Sequence, residues 1–463
     1  MHNPMTVDEV IDLDGRYVLP GLWDHHAHFD QWAQVRARLD LAGVESAVAA
    51  ARLVAAHIAA QRGDLETPVV GYGFRDALWP DVPHREVLDE ISGAVPVVLI
   101  SADLHSAWLN SAALRRFGHG EHATGLLRED AAMQVSGEVG TVAVDVADAR
   151  CRAAAQAAAA RGVVGVVDME KPWSLDAWRR RMTNGDRSLR VAGAVWPERL
   201  DDAIAQHLRT GLVIDGTNEL LTVGPCKVII DGSLNTRTAY CHDAYPANGD
   251  SADGFGLLLV RLDELSQLMR RAKEAGFDCA VHAIGDRANA TALQAFALSG
   301  ASGSIEHAQL LDDDDVRRFA QLRVVASVQP EHALDDRDVA DHYWAGRTRR
   351  AFPLRSLLDS GAVLAFGSDA PVAPLDPWLA IGAAVHRTRD GRPRWHPEQE
   401  ITAIEALTAS MAIGRGDTTL SAGDPADLVV LDGDPFTAER DGLRTMPIAA
   451  TMLGGDWTHR IGI

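Results

Sequence analysis

Cysteine is scarce in this chain, and none of it is paired by spacing. Cys151, Cys226, Cys241 and Cys279 form no C-x-x-C motif, which argues against a disulfide framework or a cysteine zinc site and fits a reducing cytosol. Positive charge is also short. The 44 basic residues stand against 65 acidic ones, a formal net charge of −21, so neither nucleic acid nor an anionic membrane surface is expected as a partner. No uninterrupted apolar run reaches the ~18 residues of a membrane span. The opening MHNPMTVDEV has no basic-then-apolar leader pattern, and the expectation is a soluble, cytoplasmic protein. What the chain does have is bulk: 463 residues, 47% of them hydrophobic, suit one large domain with appendages. A small-molecule substrate is the expected partner, and self-association into a homo-oligomer is left open.

Short β-branched runs alternate with alanine- and arginine-rich helical stretches, the pattern of a parallel sheet built from βα units. The runs are the opening strand in 20–30, then 163–170, 190–196, 226–231, 279–285, 303–309, 324–330 and 362–371. Eight such strands, with helices such as 264–276 between them, predict an α/β fold of the TIM-like (β/α)8 barrel type over residues 20–417, its site at the strands' C-terminal ends. Residues from about 65 to 130 read as an insertion after the first barrel unit, too long for an ordinary loop. Residues 1–19 and 418–463 read as strands of a small β-sandwich-like domain assembled from both termini, with a hairpin turning at Gly454-Gly455.

In GLWDHHAH, an extended backbone sends His26 and His28 to one face and His25 to the other. Two neutral imidazoles at i and i+2 can grip one cation. Alone, the motif is weak. Read along the predicted strand ends, however, His26 and His28 are joined by Lys227, His282, His307 and Asp369, in barrel order. Each has an ordinary explanation by itself, a hydrogen-bonded core histidine or a turn-capping aspartate. Together they place more polarity at one barrel mouth than structure requires. Such a cluster suits a bound divalent ion, which lowers the pKa of water from ~15.7 to about 7. Asp369 can then accept a proton and return it to a leaving nitrogen. Lys227 as an ammonium would repel cations, so it is read as neutral, turned away, paired with Asp231, or carbamylated by CO2, the last being favoured.

The segments LPGLWDHHAH, CKVIIDGSLNTRTA, AVHAIGDRA, SIEHAQ, SVQPEHA, AFGSDAPV and LDPW, with ADLVVLD near the end, resemble the amidohydrolase superfamily of metal-dependent hydrolases. The likeness is greatest to the branch that includes N-substituted formamide deformylases. It implies a distorted (β/α)8 barrel holding one or two divalent ions, usually zinc. His26 and His28 would bind the buried ion, His282 and His307 the more exposed one. Lys227 matches the position of a carboxylated lysine bridging both, and Asp369 that of a ligand and proton shuttle. About 18 residues precede LPG, fewer than is usual for such proteins, so a trimmed β-domain is expected.

A second tier of residues would touch substrate. Arg237 suits a carbonyl or carboxylate, His105 and Trp108 can line a pocket from the insertion, and His332 follows the seventh strand. Glu306 alternates with His307 and is expected to face away, in packing or support. Asp286 reads as the N-cap of the next helix. The function expected is hydrolysis of a C–N bond in a small amide or formamide. An esterase or lactonase using the same site is the alternative, and a non-catalytic barrel scaffold is disfavoured because every ligand position is filled.

Overall fold

A computed structural model of the chain describes residues 10–60, 68–76, 79–102, 106–171, 173–246 and 254–463. By contacts the chain divides into two compact units, Met1–Phe29 with Ala155–Ile463, and Asp30–Ala154.

The first unit is built on an eight-stranded parallel sheet of β2 (Leu22–Ala27), β8 (Val163–Asp168), β9 (Arg190–Val195), β10 (Leu221–Ile229), β11 (Cys279–Ala283), β12 (Gly303–His307), β13 (Val325–Val328) and β14 (Leu364–Phe366), each pairing with the next. These are the eight strands expected, with helices between them, and the fold is the (β/α)8-type barrel. The runs are β-branched because the strands are buried on both faces, where a parallel sheet tolerates little polarity. Helix punctuation is local: Asp376 caps Pro377–His386 by accepting from the Trp378 N–H, and Gly300 ends Asp286–Ser299 in the left-handed conformation that glycine adopts without strain. Asp286 is the first residue of that helix rather than its cap, which is Gly285. The carboxylate of Asp286 accepts instead from the backbone N–H of His242.

Closure of the barrel depends on the ends of β2 and β14. The Asp369 N–H donates to the His26 carbonyl at 2.7 Å, and the His28 N–H to the Ala370 carbonyl at 2.8 Å. Asp24 completes the join, its buried carboxylate accepting from the backbone N–H of both His26 and Ser368. The two strands come so close that a Cβ at Gly367 would lie 2.6 Å from the His26 nitrogen.

Both termini contribute to a four-stranded antiparallel sheet of β1 (Tyr17–Pro20), β15 (Leu428–Leu431), β16 (Ile448–Leu453) and β17 (Asp456–Arg460). The last two form the hairpin expected at Gly454-Gly455, where both glycines have positive φ. This sheet is tied to the barrel by a two-point Arg190–Asp427 contact and by the Thr451 hydroxyl donating to the Ala159 carbonyl.

The second unit has its own five-stranded sheet, β3 (Leu39–Asp40), β4 (Val69–Phe74), β5 (Val97–Ser101), β6 (Ser106–Leu109) and β7 (Leu126–Arg128), and its own apolar clusters. All four cysteines are free and buried. Among the described residues, no helix is long and apolar enough to cross a membrane.

Gly367→Ala should force β2 and β14 apart, lowering stability by about 1–3 kcal/mol, the usual range for overpacking. The control Gly137→Ala, on a helix where an added Cβ meets nothing within 4 Å, should leave the melting temperature unchanged or raise it slightly. Thermal unfolding of both variants checks this.

Candidate metal centre

The six expected donors come from five barrel strands and meet at their C-terminal ends. His26 and His28 lie at the end of β2, Lys227 in β10, His282 in β11, His307 as the last residue of β12, and Asp369 just after β14. One oxygen of Asp369 stands 3.5 Å from Nε2 of both His26 and His28. The His26 and His307 ring centres are 5.0 Å apart, those of His282 and His307 4.3 Å, and those of His26 and His28 5.7 Å. His26, His307 and Asp369 each offer a ligand atom within 4.8 Å of the others.

Two backbone features aim these groups. His307 and Asp369 both have positive φ, 75° and 56°, which turns the chain sharply as each strand ends. Strict alternation therefore fails on β12, and Glu306 does not face away as expected. Its buried carboxylate reaches across the lumen and accepts from His26 Nδ1 at 2.6 Å, and also from the Ser304 hydroxyl. This is the support role foreseen, reached by the opposite orientation. With its Nδ1 proton held by Glu306, His26 presents the Nε2 lone pair to the site. His25 is turned elsewhere: its Nε2 pairs with the Met411 carbonyl at 2.8 Å.

The electrostatics favour ligation. Burial pushes His282 down to about 3, and the Lys227 charge acts the same way. His26 is lowered by the same two effects, and His307 well below its ordinary value by burial and by His282. Neutral imidazoles keep their lone pairs. For Asp369, burial alone would favour the acid, but the hydrogen bond from His28 and the neighbouring His26 and His307 outweigh it and hold the carboxylate ionised. Glu306 behaves likewise and is held down to about 2, burial being overcome by His26 and Lys227. His28 alone moves up, since Asp369 outweighs its desolvation. Lys227 is 1% exposed, and its ammonium form is disfavoured by that burial.

Several buried nitrogens here have no hydrogen-bond partner, namely Nδ1 of His28, Nδ1 of His307 and Nζ of Lys227. Unpaired buried polar atoms of this kind are costly unless something completes them. Imidazole nitrogens, a carboxylate and a buried amine around one centre fit a divalent ion. The expected alternative of a Lys227–Asp231 ion pair is not what forms. The Asp231 carboxylate is occupied by the backbone N–H groups of Tyr240, Ile284 and Gly285, which tie the loops after β10 and β11 together.

The second tier divides. The His332 ring lies parallel to that of His307, at 12° and 6.4 Å, and its buried Nε2 has no partner. Arg237 is exposed, with its guanidinium 5.7 Å over the Tyr343 ring. Trp108 is fully buried in the second unit's own core, against Trp79. His105 lies outside the described residues. Asp24 was not singled out from sequence, and Asp231 was considered only as a partner for Lys227. The available signal was an acidic residue inside an otherwise apolar strand run, LWDHHA and VIIDGS.

Comparison with known proteins gives concordant findings. A model described as the amidohydrolase family matches residues 9–459. Among curated relatives, the protein LONG AFTER FAR-RED 3 of Arabidopsis thaliana is 30% identical, over 96% of this chain and 82% of its own length. N-substituted formamide deformylase of Arthrobacter pascens is 27% identical, over 96% and 89%. Among solved structures, an uncharacterized metal-dependent hydrolase from Pyrococcus horikoshii OT3 superimposes with a TM-score of 0.77 at 27% identity, covering 93% of this chain and 89% of that one.

Replacing Glu306 by Gln removes the charge that fixes the His26 tautomer, with Nε2 turned toward Asp369. Metal affinity, read by competition against a chromogenic chelator, should fall about 10–100-fold, the usual effect of losing such a partner, with little change in the circular dichroism spectrum.

Proposed function

Since the chain belongs to the amidohydrolase family and is a metal-dependent hydrolase, we propose that it cleaves the C–N bond of a small amide or formamide. One observation carries the reading: the partly buried Asp369, whose carboxylate the neighbouring histidines hold ionised, stands 3.5 Å from two imidazoles at the centre of the donor cluster. A carboxylate so placed takes the proton of the attacking water and delivers it to the leaving nitrogen. An amide needs that delivery more than an ester does, because an amine anion is a very poor leaving group. The similarity to N-substituted formamide deformylase points the same way.

His26, His28 and Asp369 would hold one ion and His282 and His307 a second, with zinc suited to this nitrogen and oxygen set. Bound there, the metal supplies a water pKa lowered from ~15.7 to about 7 and polarises the substrate carbonyl. Lys227 supports the two-ion form. Its neutral amine would attack the carbon of CO2, forming an N–C bond and losing one proton, to leave an anionic carbamate facing both positions. His332, parallel to the His307 ring, and Arg237, exposed after β10, are the proposed substrate contacts. Trp108 takes a packing role.

Three measurements test the assignment. Removing metal with a chelator should abolish turnover, and zinc or manganese should restore it. Asp369→Asn should lower kcat by about 10²–10⁴-fold, the range for losing a general acid/base, with metal content measured on the same sample. A panel of N-substituted formamides and acyl amides, each matched to its ester, should give kcat/KM values for the amides well above background. Turnover of esters alone would overturn the C–N assignment in favour of an esterase or lactonase.

A further inference from the structure

The interior of a parallel eight-stranded barrel is ordinarily filled by layers of bulky branched side chains. Here the layer nearest the N-terminal ends of the strands is not filled. A cavity of about 600 Å³ lies there, on the side of Glu306 away from the strands' C-terminal ends. Its walls include Trp23, Val167, Ala192, Thr222, Ser304 and Val325, one residue from each of six strands, and all six remain partly exposed. The space exists because several of the residues turned inward are small. Ala192, Gly224, Ser304 and Ala365 stand where larger residues would close the lumen.

We propose that this cavity is a second small-molecule site, separate from the metal centre, for an uncharged ligand with a flat aromatic body and one polar group. The volume falls within the usual range of small-molecule sites, roughly 300–1,000 Å³, and the encircling strands leave no room for a folded segment. The shape of the ligand follows from the wall: Trp23 lies stacked with His25 at 6.1 Å and 14°, giving a flat aromatic face, with the aliphatic Val167 and Val325 among the other lining residues.

Neutrality follows from the available charges. At the inner end, both oxygens of Glu306 are already taken, by His26 Nδ1 and by the Ser304 hydroxyl. At the rim, one oxygen of Asp278 accepts from the Ser302 hydroxyl, and the partly exposed Asp278 and the exposed Arg323 both face solvent rather than the interior. A charged ligand would thus leave water without a free counter-charge inside, an expensive transfer. For the polar group there are two buried lining atoms without a hydrogen-bond partner, the Ser327 hydroxyl and Nδ1 of His25.

Indole is the probe, a neutral two-ring molecule with one N–H. Titrated calorimetrically into the metal-loaded protein, it should bind at one site per chain. Ala192→Phe and Thr222→Phe, which each put a ring into the lumen, should each weaken binding at least tenfold, about 1.4 kcal/mol, with melting temperature checked for both. A crystal of the unaltered protein soaked in indole should show density between Trp23 and Val325. Absence of binding up to the solubility of the probe, equal binding in both variants, or density only at the metal centre would overturn the proposal. None of these outcomes bears on whether the metal centre cleaves amides.

Discussion

The bond between His26 Nδ1 and the Glu306 carboxylate, 2.6 Å long and fully buried, spans the lumen from the first barrel strand to the sixth. Neither partner is tolerable there alone. A lone buried carboxylate would take up a proton, and an unsupported imidazole would be free to present either nitrogen. Joined, the carboxylate stays ionised and the ring is fixed in the tautomer that turns Nε2 toward Asp369. A hydrogen bond to a buried charged group of this kind is typically worth about 1.5–3 kcal/mol, and losing the ring would strand the Glu306 charge. The contact is therefore a strut of the barrel as much as part of the site, and the positions of the other donors are set relative to it.

Around that strut, two of the clustered residues sit on irregular backbone. His307 and Asp369 occupy left-handed conformations that cost non-glycine residues of order 1–3 kcal/mol. Each turn is held by hydrogen bonds on both sides. The Ala308 N–H donates to the Ala283 carbonyl, and the Asp369 N–H to the His26 carbonyl. Asp24 and Asp231 act in the same way, spending buried carboxylates on backbone N–H groups that fix β2 against β14 and the loop after β10 against the one after β11. Their burial raises them to about 6 and about 7 respectively, against the opposing backbone hydrogen bonds. Rigidity at the mouth thus comes from polar groups used structurally, while Nδ1 of His28 and Nδ1 of His307 remain without a hydrogen-bond partner.

This division of labour explains what could be read from sequence. The eight strands were legible because each is a short β-branched run buried on both faces, and the donors were legible because histidine and aspartate at the ends of such runs have few packing reasons to be there. Facing direction was less legible. Period-two alternation put Glu306 on the wrong side because it assumes a regular strand up to its last residue, whereas His307 leaves the β region. Trp108 illustrates a different limit: an aromatic residue in an insertion looks the same whether it lines a pocket or fills a core, and only the packing of Leu41, Phe74 and Leu99 with it decides. Asp231 was taken as a possible partner for Lys227 on charge alone, but three backbone N–H groups, one from its own loop and two from the loop after β11, already satisfy it.

Lys227 carries this reasoning furthest. The chain meets nearly all its need for positive charge with arginine and has only three lysines, Lys171, Lys227 and Lys273. Where arginine is buried, as at Arg387, its fork is used on backbone carbonyls, here those of Trp395 and Phe352. Lys227 is buried as deeply, yet its nitrogen bonds to nothing. Arginine cannot give up its charge in a protein, whereas a buried lysine readily does. A residue kept for its charge at this point would repel any cation gathered by four imidazoles and a carboxylate. What distinguishes lysine from arginine is that burial can weaken its hold on the proton, and the burial of Lys227 lowers its pKa in that direction.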